Sequence, residues 1–291
     1  PMTAEHLDLR AGDVVSAGYG YATILPDCDC ETYSEAGFVW DPDHADRTGV
    51  VVGKWIAPEG VSQIQNAGLS AVGAAVYTEH ASCDVLVFSY DLKDGRGIRR
   101  WHPGMPNPQE LFDHIAAGGL LESHNCGFEF WVWYNVLRVR YGWPMIPTGQ
   151  QRCSMAKARA HGLPGGLEPL GRVLGTDAQK DQAGRDLLKR FSVPRNPDRK
   201  DARRRITPAD DPVAAIRLYG YCDQDVRTES AVSRRIPDLS PDELEWWIVD
   251  QQINRRGVQV DVNAIEACIS VIEQAFEQYN GELRALTGGA V

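Results

Sequence analysis

Three short blocks of this chain place acids where they could meet. Asp29-Cys30-Glu31 sets two carboxylates two residues apart, and on a strand such residues point to one face. Asp27 has the same parity and would join them on a straight strand, although Pro26 precedes it. Asn125-Cys126-Gly127-Phe128-Glu129 puts an amide and an acid four apart at an expected strand-to-helix junction, where helix N–H groups point beyond the sheet edge. Tyr221-Cys222-Asp223-Gln224-Asp225 lies in an expected helix, and a spacing of four brings Tyr221 and Asp225 to one face. Carboxylates are hard oxygen donors of the kind that Mg²⁺ and Mn²⁺ prefer, so the chemistry on offer is that of held divalent cations. Each block alone has an ordinary alternative. The first reads equally as the solvated face of an edge strand, the second as a helix cap with a first-turn acid, the third as a core tyrosine with a surface acid.

The elements that must position these blocks are legible as patterns. A β-rich run covers 21–31, and a Gly/Pro-punctuated surface insertion spans about 34–68. Two further β-rich runs, 71–80 and 84–92, lead through the turn 94–97 into 98–101, which reads as a meander. Helix signals mark 107–119, a short strand 120–125, and an aromatic-rich buried helix runs from 128 to Gly142. Short helices follow at about 153–161, 167–174 and 184–191, then long ones at 211–235, from Ser240, and at 262–286. Ser240 with Glu243 forms a capping box. The order predicts an α/β domain with a mixed sheet, then an all-helical tail. Residues 192–212 read as an exposed arm, and 185–205 carry nine basic residues against three acids. That segment is either a track for an anionic backbone or a solvated loop.

Composition narrows the function classes. The 291 residues are 43% hydrophobic and 24% charged, enough for a large core. No apolar run is long enough to span a membrane, and the amino terminus lacks the apolar core of a secretory signal. The net charge of −10 argues against a wholesale non-specific nucleic-acid binder but not against an enzyme whose acids hold metal. Seven scattered cysteines read as reduced thiols. The close pairs Cys28/Cys30, His80/Cys83 and His124/Cys126 lack structural-zinc spacing. GLPGG at 162–166 is not followed by Lys-Ser/Thr and is expected to be a turn. There is no G-x-S-x-G nucleophile elbow.

In order and spacing, the blocks DCETYS at 29–34, HNCGFE at 124–129 and YCDQD at 221–225 resemble the three exonuclease motifs of the 3′→5′ proofreading domain of family A DNA polymerases, in the version carried by bacteriophages. DQQINRRGVQVD at 250–261 looks like the helical connection from that domain into the polymerase thumb. The resemblance covers about 20–291. It implies a ribonuclease-H-like fold: a mixed five-stranded sheet flanked by helices, with a helical C-terminal extension. It implies an exonuclease domain over 1–238 and a helical connection over 239–291, leading to a polymerase domain outside this chain. Asp29, Glu31, Glu129 and Asp225 would be the metal-holding acids, and Tyr221 would orient the attacking water. Tyr221 stands four residues before Asp225, as in the tyrosine subtype; the histidine subtype has His at the position of Gly220. Thr32, Asn125 and Phe128 fall where the family contacts the 3′-terminal nucleotides. The second motif usually ends in Asp, and the extra methylene of Glu129 moves its carboxylate by roughly an ångström or more.

The expected activity is therefore removal of nucleotides from single-stranded DNA 3′ ends by a monomer in the cytoplasm of an infected bacterium. Two divalent ions, Mg²⁺ or Mn²⁺, would stabilise the entering and leaving oxygens. Asp29, Glu31 and Asp225 would hold one ion, with Asp29 bridging to a second that Glu129 helps retain. Arg195, Arg203, Arg204 and Arg205 are the candidate contacts of the basic segment to DNA, and Phe128 is either a stacking surface or core. Two alternatives stay open: a degenerate module that only positions DNA or a polymerase, and a stand-alone RNA 3′ exonuclease.

Overall fold

Acids alternating with cysteines over Asp27–Tyr33 make the central strand, β1, of a five-stranded sheet. The structure is a computed structural model and describes residues 10–17, 20–36, 38–45, 51–55, 68–176, 182–197 and 200–290. β2 (Asp84–Asp91) pairs antiparallel with β1, and β3 (Arg99–Trp101) antiparallel with β2. On the other side, β4 (Leu121–Ser123) runs parallel to β1, and β5 (Gln151–Cys153) parallel to β4. The order is β3-β2-β1-β4-β5. The flanking helices are α1 (Leu69–Glu79), α2 (Gln109–Ala116) and α3 (Cys126–Val132), the last running through a π turn at Trp133–Leu137 into α4 (Arg138–Tyr141). They continue with α5 (Ser154–Ala160), α6 (Leu167–Val173), α7 (Gln182–Ser192) and α8 (Pro212–Ser233). A mixed five-stranded sheet flanked by helices is the expected α/β class and is compatible with a ribonuclease-H-like fold.

Two of the sequence expectations need correction or narrowing. Residues 71–80 are not a strand but most of α1, interrupted at Gly73, whose φ of 78° leaves the helical region. Their small and apolar residues mimic alternation, yet Tyr77 is buried while the adjacent Val76 is 54% exposed, and Ala favours a helix. Of the 34–68 insertion, Phe38–Ala45 and Val51–Trp55 form an antiparallel hairpin. Residues 37, 46–50 and 56–67 lie outside the described residues.

Period-two alternation divides the side chains of β1 between two cores. Cys28 and Cys30 enter one with Phe88, Trp101, Trp133 and Trp143, where Trp133 and Trp143 meet edge-on at 4.9 Å. Tyr33 enters the other with Leu86, Phe191, Leu218 and Tyr221. Asp27, Asp29 and Glu31 share the parity of Tyr33, and α8 packs against β1. Acids beneath a helix need partners, because an unpaired buried charge is expensive.

Asp27 finds its partners away from the other two. Its Oδ1 lies 2.9 Å from Lys93 Nζ, and Ser230 Oγ donates to Oδ2. Burial pushes the Asp27 carboxyl up to about 6 against the pull of Lys93. This raised value is a cost that builds up as pH rises from about 4 to about 6, and Lys93 limits it. Lys93→Ala is expected to destabilise the fold by about 3 kcal/mol at pH 7.5, the usual penalty for breaking a buried pair. The deficit should shrink at pH 5, where Asp27 takes up a proton. Urea denaturation at both pH values reads this, and equal deficits would exclude Asp27 as its source.

The chain divides into two compact units, Pro1–Ile248 and Val249–Val291. α9 (Pro241–Arg256) starts with the expected capping box: Glu243 N–H donates to Ser240 Oγ at 3.3 Å, and Ser240 N–H to Glu243 Oε2 at 3.0 Å. α10 (Val262–Leu286) follows. Among the described residues, no helix is long and apolar enough to cross a membrane.

Candidate metal centre

Strand parity and one helical turn bring three of the four expected acids together. Asp29 and Glu31 of β1 and Asp225 of α8 each offer a carboxylate oxygen, and these atoms lie within 4.8 Å of one another. Asp29 and Asp225 are partly exposed, while Glu31 is buried at 9% exposure on the cavity side of the group. Like charges this close repel, which a divalent cation with hard-oxygen preference would reverse. Among the described residues no other set of His, Cys, Asp or Glu has this geometry, so none of the three Cys/His pairs builds a zinc site.

The residues around the acids are neutral donors. Tyr221 is 6% exposed, with its ring in the second core and its phenol near enough to the Asp225 carboxylate to feel its charge. Burial, then the charge of Asp225, pushes the phenol above its ordinary range, so it stays an O–H donor. Cys222, beside it, donates its thiol to Asp29 Oδ2 at 3.4 Å and to the Asp29 carbonyl at 3.5 Å. Burial and the nearby Asp29 keep that thiol protonated. Sequence reading passed over Cys222 because a thiol is a weak donor, although it lies inside the third block.

Glu129 stands apart from the triad. It rises from α3 at 8% exposure and lines a void of only 20 Å³ in the first core, with Cys28, Ser123, Cys126 and Trp133. Its Oε2 is buried and, among the described residues, has no hydrogen-bond partner. Burial first, then the charge of Asp29, push this carboxyl well above the usual carboxylate range. A buried oxygen without a partner, next to a metal-type triad, fits an additional cation ligand that is protonated until the cation arrives.

A cavity of 390 Å³ opens beside Glu31, in the size range of small-molecule sites. Thr32 and Phe128 line it, together with Ser34, Tyr77, Leu188 and Lys189. The β1–β2 register shifts between Glu31 and Thr32, a bulge that increases local twist, and both neighbours border the cavity. Thr32 Oγ1 donates to the Tyr77 hydroxyl at 3.4 Å, and Phe128 packs against the Tyr77 ring at 6.2 Å. Phe128 thus belongs to both readings, half in the core and half in the cavity wall. Tyr77 went unnoticed because its helix resembled a strand.

Asn125 takes a left-handed conformation, φ 69°, ahead of α3 and makes no capping hydrogen bond. It thus holds the N-cap position without a side-chain capping bond, and its exposed amide does not line the cavity. Several arginines of the basic segment are tied to carboxylates. Arg195 pairs with Asp201, and Arg203 with Asp201 and Asp210 at 2.8 Å each. Arg205 stacks 3.9 Å over the Tyr33 ring. Arg204 is exposed, Arg199 lies outside the described residues, and Lys189 is the member of the segment that reaches the cavity.

No known family model matches the chain. It is similar to the DNA polymerase of Bacillus phage SP02, with 31% identity over 233 residues. The match covers 78% of this chain but 35% of that polymerase, so the chain spans about a third of its relative's length.

Proposed function

We propose that this chain is a metal-dependent 3′→5′ exonuclease acting on single-stranded DNA 3′ ends, the proofreading part of a phage-type DNA polymerase working in an infected bacterial cell. The observation that carries the reading is the convergence of Asp29, Glu31 and Asp225, drawn from the first and third motifs, within 4.8 Å. The adjoining cavity, bordered by Glu31, Thr32 and Phe128, supports it, as does the similarity to a polymerase by name.

Two ions, Mg²⁺ or Mn²⁺, would supply positive charge against the phosphoryl, entering and leaving oxygens. Asp29, Glu31 and Asp225 would hold the first, and Asp29 with Glu129 the second. The chain's own residues then have separate tasks. The Tyr221 hydroxyl, near Asp225, would orient the attacking water by hydrogen bonding. Cys222 fixes the Asp29 carboxylate by its S–H bond. Phe128 and Tyr77 offer aromatic surface to a terminal base, whose π-face stacks without regard to sequence. Lys189 offers a cation to the strand's phosphates. A duplex end would have to fray before entering such a cavity. The helices over 239–291 are read as the connection toward a polymerase domain.

A 5′-labelled single strand incubated with the protein should shorten from its 3′ end with Mg²⁺ or Mn²⁺ and stay intact in EDTA. An intact strand under all metals, with the protein folded, would leave only a degenerate module. Faster loss of an RNA strand of the same sequence would shift the substrate class.

A further inference from the structure

The Tyr221 ring lies against the backbone of α7, and the contact point is Gly184. A methyl group on Gly184 would stand 2.8 Å from Tyr221 Cγ and Cε2, and nearer still to Cδ2. Those distances lie far inside van der Waals contact between carbons. The clashing atoms belong to a ring held by Tyr33, Leu86 and Leu218 in the second core, not to the loose end of a surface side chain. Interior packing is too dense for the ring to step aside without moving its neighbours. Nothing else explains a glycine there. Gly184 is buried in the first turn of α7, and its φ is not in the left-handed region. At such a position glycine costs roughly 1 kcal/mol relative to alanine.

We propose that Gly184 is a positioning residue: its missing side chain lets α7 seat the Tyr221 ring where the hydroxyl lies near Asp225. The functional half of this inference rests on the nuclease reading, whereas the packing half stands on the contact alone.

The test combines Gly184→Ala with Tyr221→Phe and Tyr221→Ala. In the 3′-end assay, Gly184→Ala should lower kcat by about tenfold to a hundredfold, the usual consequence of an ångström-scale misplacement. KM should stay within about twofold. Added to Tyr221→Phe, which has already lost the hydroxyl, Gly184→Ala should cause little further loss. In thermal melts it should lower the melting temperature of the parent. In Tyr221→Ala, where the ring is gone, it should be neutral or raise it.

A parental kcat in Gly184→Ala, losses that multiply with Tyr221→Phe, or an equal drop in melting temperature in Tyr221→Ala would each overturn the proposal. If Gly184→Ala alone does not fold, recovery of folding in the double variant with Tyr221→Ala supports it, and failure to recover overturns it. If the parent protein degrades no strand, the nuclease reading falls, and the paired melts still decide whether Gly184 seats the ring.

Discussion

Asp225→Ala is expected to slow nucleotide release from a DNA 3′ end by at least about 10³-fold while leaving the protein folded. The side chain is only partly buried on α8, so its removal opens little cavity. It also removes one of three carboxylates that crowd within 4.8 Å, which relieves repulsion in the metal-free state. In EDTA, the variant should therefore melt no lower than the parent. The difference should appear when metal is added. Saturating a site at about 100 times its Kd stabilises the parent by roughly 2.7 kcal/mol through linkage, and the variant should gain far less. Rate and metal response should fall together, because both depend on the same carboxylate. Single-turnover degradation and melts with and without Mn²⁺ measure both. A rate within about tenfold of the parent, together with an undiminished metal shift, would remove Asp225 from the chemistry.

Glu129→Gln should change the pH dependence of stability more than any other substitution at the site. The folded protein holds the Glu129 carboxyl well above its ordinary range because of burial and the adjacent Asp29, whereas the unfolded chain releases that proton near pH 4.3. The sign follows from linkage. Below about pH 4 both states are protonated and the residue costs nothing extra. As pH rises from there toward the raised value, the unfolded state sheds a proton that the folded state keeps. Stability then falls by up to about 1.4 kcal/mol per pH unit.

Glutamine carries no such proton. Urea denaturation of parent and Glu129→Gln in EDTA should coincide near pH 4 and diverge between pH 5 and 7, with the variant the more stable. Parallel curves would contradict the raised carboxyl. With Mn²⁺ the order should reverse or narrow, because the parent then has a use for the charge. Calorimetric titration in buffers of different ionisation enthalpy should show less proton release from the variant.

Much of the fold was legible because its signals are local. The alternation of Asp29, Cys30 and Glu31 specified a strand with acids on one face, and the spacing of Tyr221 and Asp225 specified one helical face. Where local signals conflicted, the reading failed. The segment 71–80 combined small apolar residues, a glycine and an aromatic; it became α1, because packing of Val72 and Tyr77 against the first core outweighed the apparent alternation. The composition of the basic segment was legible, but which of its cations pair was not, because Asp201 and Asp210 fold back on Arg195 and Arg203.

By themselves, the residues in order determined which side chains share a face, since parity and helical turn are properties of the backbone and hold wherever the element is placed. Only the packed molecule decided which faces meet. It separated Asp27 from Asp29 by giving it Lys93, set Glu129 in the first core beside the triad rather than within it, and pressed Gly184 against Tyr221. Those outcomes turn on distances of a few ångströms between segments far apart in the chain, and such distances are set by how all the side chains fill the interior together.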